Sequence, residues 1–187
     1  MSADTLPAKD RLLRAADELF YQDGIHATGI DRLVDVAGVA KMTLYNNYRS
    51  KDELVAAWLT WRHADWERRL AAKLDRSESA SQRVLAVFDT YIDSATEPGH
   101  RGCVFLNAAA EIPGSDHPAR AVVGSHKDSV RDFLVGQAEE LGASDPQQLG
   151  EQLFVLLEGG VVTAGVRGDA EPLRAARSAA VTLLTGS

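Results

Sequence analysis

Gly38 separates two short stretches of helical periodicity, and this arrangement constrains the fold more than any other feature of the sequence. Before it, one helix face is marked by apolar residues at the i, i+3, i+4 and i+7 positions: Ile30, Leu33, Val34 and Ala37. Because glycine readily adopts the left-handed conformation that ends helices, we expect the first helix to end at Gly38. After it, Leu44 and Tyr48 lie four residues apart and would anchor a second helix on its inner side. The segment therefore predicts two short helices joined by a tight turn.

Two capping patterns predict where the neighbouring helices begin. Thr28 and Asp31 have the spacing of a capping box, in which each side chain accepts a hydrogen bond from a backbone N–H group near the helix start. Ser50 and Glu53 repeat that spacing. We therefore expect one helix to begin after Thr28 and a long helix to run from Ser50 to about Leu74.

The second helix of the segment, expected from Ala40 to Tyr48, carries side chains that point outward and can contact a partner. These side chains belong to Lys41, Met42, Thr43, Tyr45 and Asn46. Two short helices that meet at a glycine turn, with hydrogen-bonding residues on the second, are typical of proteins that read DNA in the major groove.

The distribution of charge gives this interpretation limited support. Residues 1–60 carry seven basic and nine acidic side chains, so this part of the chain has no general basic character. Between Thr28 and Lys51, however, four basic side chains face only Asp31 and Asp35. Positive charge is therefore concentrated where phosphates would lie.

The stretch from Ala37 to Leu54, A-G-V-A-K-M-T-L-Y-N-N-Y-R-S-K-D-E-L, resembles the TetR family of bacterial transcriptional regulators. The resemblance extends over about residues 10–59 and implies an N-terminal domain of three helices, the third of which enters the major groove. Matched position by position, it implies that eight residues contact DNA: Thr28, Lys41, Met42, Thr43, Tyr45, Asn46, Asn47 and Lys51. The sequence departs from the family pattern at Gly29, Ala40 and Met42, which replace a hydroxyl residue, a capping serine, and glycine, alanine or proline.

Helical patterns continue to the end of the chain. The first helix has a buried face formed by Leu12, Ala16, Leu19 and Phe20, and it ends at Gly24. The later helices are expected at about residues 81–95, 102–112, 117–141, 146–166 and 172–185. Since no alternating strand pattern of useful length appears, the predicted fold class is all-α.

The stretch from Arg101 to Glu111, R-G-C-V-F-L-N-A-A-A-E, resembles the sixth-helix segment of a TetR branch in which that helix lies near a ligand pocket. The resemblance implies a small-molecule effector and a homodimer formed by the last two long helices as a four-helix bundle. The residues expected to contact the effector are Trp61, Phe88, Tyr91, Cys103, Asn107, His126 and Phe133.

The last two helices also carry stripes of apolar and small residues, which suit helices that approach closely. The stripes place the expected dimer interface at Leu153, Leu156, Gly160, Ala164, Ala176 and Ala180. A symmetric operator requires a protein with two-fold symmetry, so the homodimer agrees with the DNA-binding interpretation.

Several candidate sites have simpler alternatives. The five histidines show no paired i, i+4 spacing and Cys103 is the single cysteine, so neither a metal site nor a cofactor is expected. Cys103 begins an apolar helix, where it would be either redox-sensitive or a small buried residue. His126 would either present a ring nitrogen to the effector or lie hydrogen-bonded in the core. Aromatic residues at helical spacing, Phe88 and Phe133 among them, are usually core residues.

The sequence contains no signature of an enzyme: G-x-S-x-G, a phosphate-binding glycine loop and H-E-x-x-H are all absent. No apolar run approaches the roughly 20 residues that span a bilayer, and Met1 to Asp10 lacks the order of a signal peptide. We therefore predict a cytoplasmic protein with no membrane partner.

The hypothesis that results is a homodimeric repressor of transcription. Residues 1–50 would form a helix-turn-helix domain that binds a double-stranded DNA operator, and residues 51–187 a helical domain for ligand binding and dimerisation. A small, mainly apolar effector would release the protein from the operator. The alternative is a helical ligand-binding or interaction module without specific DNA binding.

Overall fold

The computed structural model describes residues 6–112, 114 and 116–186. Within these residues the chain forms helices and no strand, which confirms the all-α prediction. The helices are α1 (Ala8–Gln22), α2 (Ile30–Ala37), α3 (Lys41–Asn47), α4 (Lys51–Leu74), α5 (Ala80–Thr96), α6 (Val104–Glu111), α7 (Pro118–Glu140), α8 (Pro146–Arg167) and α9 (Glu171–Thr185). Each predicted helix is present, with bounds that differ by at most about two residues.

The helices belong to two compact units. The first comprises the described residues of Met1–His63 and Val104–Gly124, and the second those of Ala64–Cys103 and Ser125–Ser187. Both α4 and α7 therefore contribute residues to each unit.

The core of the first unit forms around α1 and the start of α4. The predicted inner face of α1 is buried, with Leu12, Ala16, Leu19 and Phe20 each at most 3% exposed. The Phe20 ring meets the Trp58 ring edge-on, with centroids 5.3 Å apart. Trp58 Nε1 donates a 2.7 Å hydrogen bond to Asp17 Oδ1, which fixes α4 to α1.

The glycine turn forms as the sequence predicts. Gly38 follows α2 with φ +61° and ψ 41°, the left-handed conformation that a side chain would strain. Its N–H donates to the carbonyl oxygen of Asp35, 3.1 Å away, and the N–H of Val39 donates to that of Val34, 3.0 Å away. These bonds close the end of α2 and direct the chain into α3.

Only one of the two predicted capping boxes forms. Ser50 Oγ accepts a 3.1 Å hydrogen bond from the Glu53 N–H, and Glu53 Oε2 accepts one of 2.7 Å from the Arg49 N–H, so the start of α4 is confirmed. The prediction at Thr28 is wrong. Gly29 is the N-cap of α2 and makes no side-chain hydrogen bond there. The Thr28 hydroxyl instead donates to the carbonyl oxygen of Gly24, 2.8 Å away, within the α1–α2 turn.

In the second unit, α8 begins as predicted and packs closely against α7. Asp145 caps it by accepting a 2.9 Å hydrogen bond from the Gln148 N–H. A Cβ atom added at Gly150 would lie 2.7 Å from Val135 Cα of α7, so the two backbones pass very close together. Among the described residues, α8 is also the one helix with the length and composition of a membrane span, a criterion that buried core helices also meet.

The dimer interface predicted from the small-residue stripes needs correction. Five of its six residues are buried inside the single chain: Leu153, Gly160, Ala164, Ala176 and Ala180. Gly160 lies against Ala176 and Leu173, so these residues pack α8 against α9. Leu156 alone of the six lines an exposed groove. A stripe of small residues predicts that two helices meet closely, but it does not say whether they belong to one chain or two.

Candidate nucleic-acid interface and buried polar cluster

The outer side of α3 presents most of the residues predicted to contact DNA. Met42 is 69% exposed and Tyr45 44% exposed. Lys41, Asn46 and Asn47 are also exposed, whereas Thr43 is half-buried. On this helix of two turns, Lys41, Met42, Tyr45 and Asn46 are exposed on the outward side, and Asn47 Nδ2 donates a 2.7 Å hydrogen bond back to the Thr43 carbonyl oxygen.

The inner side of α3 is fixed by the two residues that its spacing predicts. Leu44 is fully buried and Tyr48, which directly follows the helix, is 3% exposed. Burial raises the pKa of Tyr48 to about 12, with smaller contributions from the negative charges of Asp10 and Glu53. The Tyr48 hydroxyl has no hydrogen-bond partner among the described residues. Tyr48 is therefore a packing anchor of α3, while its neighbours point outward.

Two of the cations near this surface form ion pairs within the first unit. Lys41 Nζ lies 2.7 Å from Asp31 Oδ1, and Arg32 Nη2 lies 2.9 Å from Asp23 Oδ2. The hydrogen bond with Asp31, followed by the charge of Asp31, raises the pKa of Lys41. The basic stretch seen in the sequence is therefore partly neutralised in the fold.

The remaining cations differ in their surroundings. Lys51 begins α4 with its ammonium 6.0 Å from the centre of the Phe20 ring. Partial burial lowers the pKa of Lys51, and the charges of Asp52 and Glu111 oppose that shift. The Arg49 guanidinium has no ion pair or hydrogen bond among the residues that the structure describes. Both side chains lie next to α3 in the sequence.

Thr28 does not belong to the exposed surface. Its side chain is completely buried and its hydroxyl bonds to the α1–α2 turn, so it has no surface with which to meet a phosphate. We therefore correct the predicted DNA contact of the Thr28 side chain to a structural role in the turn.

The end of α6 contacts the α1–α2 turn within the first unit. The His26 N–H donates a 2.9 Å hydrogen bond to Glu111 Oε2, and His26 Nε2 is also bonded to the Glu111 carbonyl oxygen. Gly24 has φ +100°, and a Cβ atom there would lie 3.1 Å from the Glu111 carboxylate oxygens. His117 Nε2 lies 3.3 Å from Asp52 Oδ1 at the start of α4. Residues 104–124 are thereby joined to the helices that carry the glycine turn.

The second unit contains a buried group of aromatic residues. Tyr91 Oη lies 3.2 Å from His126 Nε2, within hydrogen-bond distance, and His126 is 1% exposed. The Trp66 ring meets the His126 ring edge-on at 5.1 Å between centroids and lies 6.4 Å from the Tyr91 ring. Burial raises the pKa of Tyr91, with smaller contributions from Cys103 and Glu158.

A charged pair extends this group. Lys127 Nζ donates to both carboxylate oxygens of Glu158, at 2.7 and 2.8 Å, and lies 3.8 Å from Cys103 Sγ. The two charges compensate each other in a region where both side chains are at most 20% exposed. We name Trp66, Tyr91, Cys103, His126, Lys127 and Glu158 the polar cluster.

The polar cluster includes some of the predicted effector contacts and several residues that were not predicted. Tyr91, Cys103 and His126 belong to it, and Phe88 and Phe133 are buried or half-buried in the same unit. Trp61 and Asn107 belong to the first unit, and their role stays a prediction. Sequence reasoning missed Trp66, Lys127 and Glu158. In the sequence, Glu158 is the one residue that could have indicated this cluster, because it is an acidic side chain within an otherwise apolar stretch of α8.

A second feature of this unit is an apolar groove along α8 and α9, which we call the α8–α9 groove. Its volume is about 780 Å³, and its lining residues are Gln148, Glu151, Gln152, Val155, Leu156, Ala179, Thr182 and Leu183. Further along the exposed side of α8, Val162 is 51% and Val166 83% exposed. The groove and these two valines together expose apolar side chains along one side of α8.

No group of three or more His, Cys, Asp or Glu side chains suited to a metal ion occurs among the residues that the structure describes. The first unit presents the outward polar side of α3, and the second unit contains the polar cluster and the α8–α9 groove.

Two family models match the sequence. The model for bacterial regulatory proteins of the tetR family matches residues 12–58, which include α2, the glycine turn and α3. The model for the tetracyclin repressor-like C-terminal domain matches residues 80–180.

Individual relatives and solved structures agree with these matches. The transcriptional repressor NemR of Escherichia coli is 26% identical over 175 residues, which cover 88% of this chain and 87% of NemR. The transcriptional activator FasR of Mycolicibacterium smegmatis is 48% identical over 137 residues, 69% of this chain and 61% of FasR. A TetR-family transcriptional regulator from Streptomyces coelicolor has a similar crystal structure, with a TM-score of 0.89, 31% identity and coverage of 96% of this chain and 95% of that chain.

Proposed function

Because the chain belongs to the TetR family of bacterial transcriptional regulators, whose members bind DNA, we propose that it is an operator-specific repressor released by a small, mainly apolar effector. Its helix-turn-helix and its role in transcription regulation follow from the family. NemR, a repressor, aligns over 88% of this chain, and FasR, an activator, aligns over 69% of it; the proposal of repression follows the relative that covers more of the chain. The relatives are regulators, and we propose no catalytic activity.

The outward surface of α3 is the observation that carries the proposal. Met42 and Tyr45 are exposed on a helix that Leu44 and Tyr48 hold from the inner side. We assign DNA contacts to seven residues: Lys41, Met42, Thr43, Tyr45, Asn46, Asn47 and Lys51. Side chains of these types reach base edges or phosphates when a helix lies in the major groove.

We assign the α8–α9 groove to contact with a second copy of this chain. Val155, Val162 and Val166 expose apolar surface on one helix, and a two-fold partner would cover the same surface on both subunits. A dimer of this kind would hold two recognition helices about 34–36 Å apart, the spacing of successive major grooves on one side of the duplex. An operator with two-fold symmetry would be its target.

The polar cluster and the aromatic residues around it are the proposed effector site. Phe88, Phe133 and the polar cluster supply apolar surface with a few hydrogen-bonding groups, a composition that small-molecule sites share. Glu158 already compensates the charge of Lys127, which disfavours a strongly anionic effector. The functional division at residue 50, with DNA binding before it and effector binding and dimerisation after it, is part of the same proposal.

Release from DNA follows by linkage. An effector that binds one conformation of the protein more tightly weakens operator binding if the operator prefers another conformation. The typical coupling of about 1–3 kcal/mol corresponds to an operator affinity weakened about 5- to 150-fold. As a regulator that acts on DNA, the protein is proposed to work in the cytoplasm.

The experiment that tests the proposed function starts from the full-length protein and a random duplex pool. Repeated selection is expected to yield a palindromic sequence, and footprinting is expected to show protection of two half-sites about one helical turn apart. Failure to enrich any sequence at low salt would contradict operator-specific binding.

A further inference from the structure

The ion pair between Asp31 and Lys41 joins the first turn of α2 to the first turn of α3. Their side chains are 80% and 54% exposed, with 2.7 Å between the ammonium and the carboxylate oxygen. Exposed pairs of this kind contribute little to stability. Since the pair contributes little to the free energy of folding and lies at the start of the proposed recognition helix, we expect its main effect to be on DNA binding.

Pairing changes what Lys41 offers to DNA. An ammonium group has three N–H donors, and the hydrogen bond to Asp31 uses one of them. Because the pair carries no net charge, its attraction to a phosphate is weak. The Lys41 ammonium keeps two free N–H donors, which can bind hydrogen-bond acceptors that lie in the right positions. Guanine O6 and N7 in the major groove are acceptors of that kind. An unpaired lysine would bind phosphates whatever the sequence.

We propose that Asp31 is a specificity-determining residue, which lowers the affinity for arbitrary DNA by pairing with Lys41 and positions the ammonium for a base acceptor in the operator. The inference rests on the proposed placement of Lys41 at the DNA and is independent of the effector. The pair between Arg32 and Asp23, at 2.9 Å, acts in the same direction because it removes a second free cation. Cations without an ion pair, such as Arg49, would then supply the sequence-independent attraction to the DNA phosphates.

The substitution Asp31→Asn tests this role because it keeps the size of the side chain and removes its charge. At low salt, the variant is expected to bind random duplex DNA about 3- to 10-fold more tightly than the parent. The slope of log affinity against log salt should steepen by about 0.9 per protomer, since one more phosphate is neutralised. Operator affinity should rise less, so the ratio of operator to random-duplex affinity falls.

Asp35→Asn is the matched control. Asp35 is an exposed acid on the same helix, makes no ion pair among the described residues, and its substitution changes the net charge equally. This control should leave the ratio of operator to random-duplex affinity close to that of the parent. An equal fall of the ratio in both variants would overturn the inference, because net charge alone would then explain the effect.

Lys41→Met separates the role of Asp31 from the placement of Lys41. In the Lys41→Met background, Asp31→Asn should no longer change the affinity ratio, because its partner is absent. If Lys41→Met weakens DNA binding but Asp31→Asn leaves the ratio unchanged, the role of Asp31 is wrong and the proposed interface stands. If Lys41→Met alone changes neither the operator affinity nor the random-duplex affinity, Lys41 does not contact DNA. The inference is then wrong, because it depends on that contact.

Discussion

Gly160 and Ala176 lie so close that a Cβ atom added at Gly160 would be 3.0 Å from the Cβ of Ala176. It would also lie 3.2 Å from Leu173 Cδ2 and 3.4 Å from Leu173 Cα. The glycine therefore permits the backbone of α8 to approach α9. This contact belongs to the core of the single chain.

The first prediction follows from that contact. Gly160→Leu should lower the free energy of unfolding by on the order of 1–3 kcal/mol or more, because the larger side chain forces the two helices apart. The loss should be seen by chemical denaturation of the parent and the variant at the same protein concentration.

Gly159→Ala provides the control, since nothing lies within 4 Å of a Cβ atom at that position. Replacing an exposed helical glycine by alanine should raise stability by about 0.5–1 kcal/mol. A Gly160→Leu variant that unfolds like the parent would show that α8 and α9 do not pack in this way.

The α8–α9 contact also illustrates how far the sequence predicts this fold. Periodicity and capping residues located each helix, because these signals are local: Gly38 ends α2 and Asp145 begins α8 by contacts with residues close in the chain. The surface against which a helix face packs, by contrast, comes from residues that are distant in the sequence. The stripe around Gly160 predicted a close helix contact but placed it between chains instead of within one.

The candidate site shows the same limit. Leu44 and Tyr48 were predicted correctly as inner anchors because the spacing along one helix determines which side chains share a face. Lys127 and Glu158 are 31 residues apart, and only the fold brings their charges together. Thr28 was misassigned because a threonine hydroxyl can bond a helix N-terminus or a preceding turn, and the residue type does not distinguish the two.

The second prediction concerns the buried hydroxyl of Tyr48. Tyr48→Phe should raise the free energy of unfolding by roughly 1 kcal/mol, because a buried polar group without a hydrogen bond typically costs about 1–3 kcal/mol. Thermal and denaturant unfolding measure this difference at neutral pH. A lower stability of the variant would show that the hydroxyl has a favourable partner.

The same variant should also change the dependence of stability on pH. Burial raises the pKa of Tyr48 to about 12 from 10.0, so the neutral phenol is favoured in the folded state. The contribution of the neutral phenol to the free energy of unfolding is complete below about pH 10 and is lost as the pH rises towards 12. The parent should therefore lose stability more steeply over that window than Tyr48→Phe.

The third prediction separates base contacts from phosphate contacts at the proposed interface. Tyr45→Ala and Asn46→Ala should reduce the discrimination between operator and random duplexes by about 1–3 kcal/mol each, the typical value of a good base contact. Lys51→Ala should weaken binding to both duplexes about equally and flatten the salt dependence, since a phosphate contact carries no sequence information. Equilibrium binding at several salt concentrations provides these values. Equal losses on both duplexes for all three variants would contradict the assignment.

The fourth prediction addresses the α8–α9 groove. Val155 is 60% exposed in the single chain, so Val155→Lys should leave the fold intact. A lysine there would place a charge in an apolar contact, and dimerisation and operator affinity should fall together. Sedimentation and operator binding measure the two effects. Ser178→Lys is the control, because Ser178 is exposed on α9 but does not line the groove. An intact dimer in the Val155 variant would place the interface elsewhere.

The last prediction concerns the effector site in the second unit. Tyr91→Phe removes the hydroxyl that lies 3.2 Å from His126 Nε2, and Phe133→Ala removes apolar surface from a half-buried position. If the effector binds there, both variants should bind the operator normally but respond with altered sensitivity to a panel of small hydrophobic compounds. The measurement is release of the operator as each compound is titrated. Ser178→Ala serves as the control, because Ser178 is exposed on α9 and belongs neither to the polar cluster nor to the proposed DNA surface, so every release curve should stay unchanged. Parent-like release of Tyr91→Phe and Phe133→Ala by all active compounds would place the effector site elsewhere.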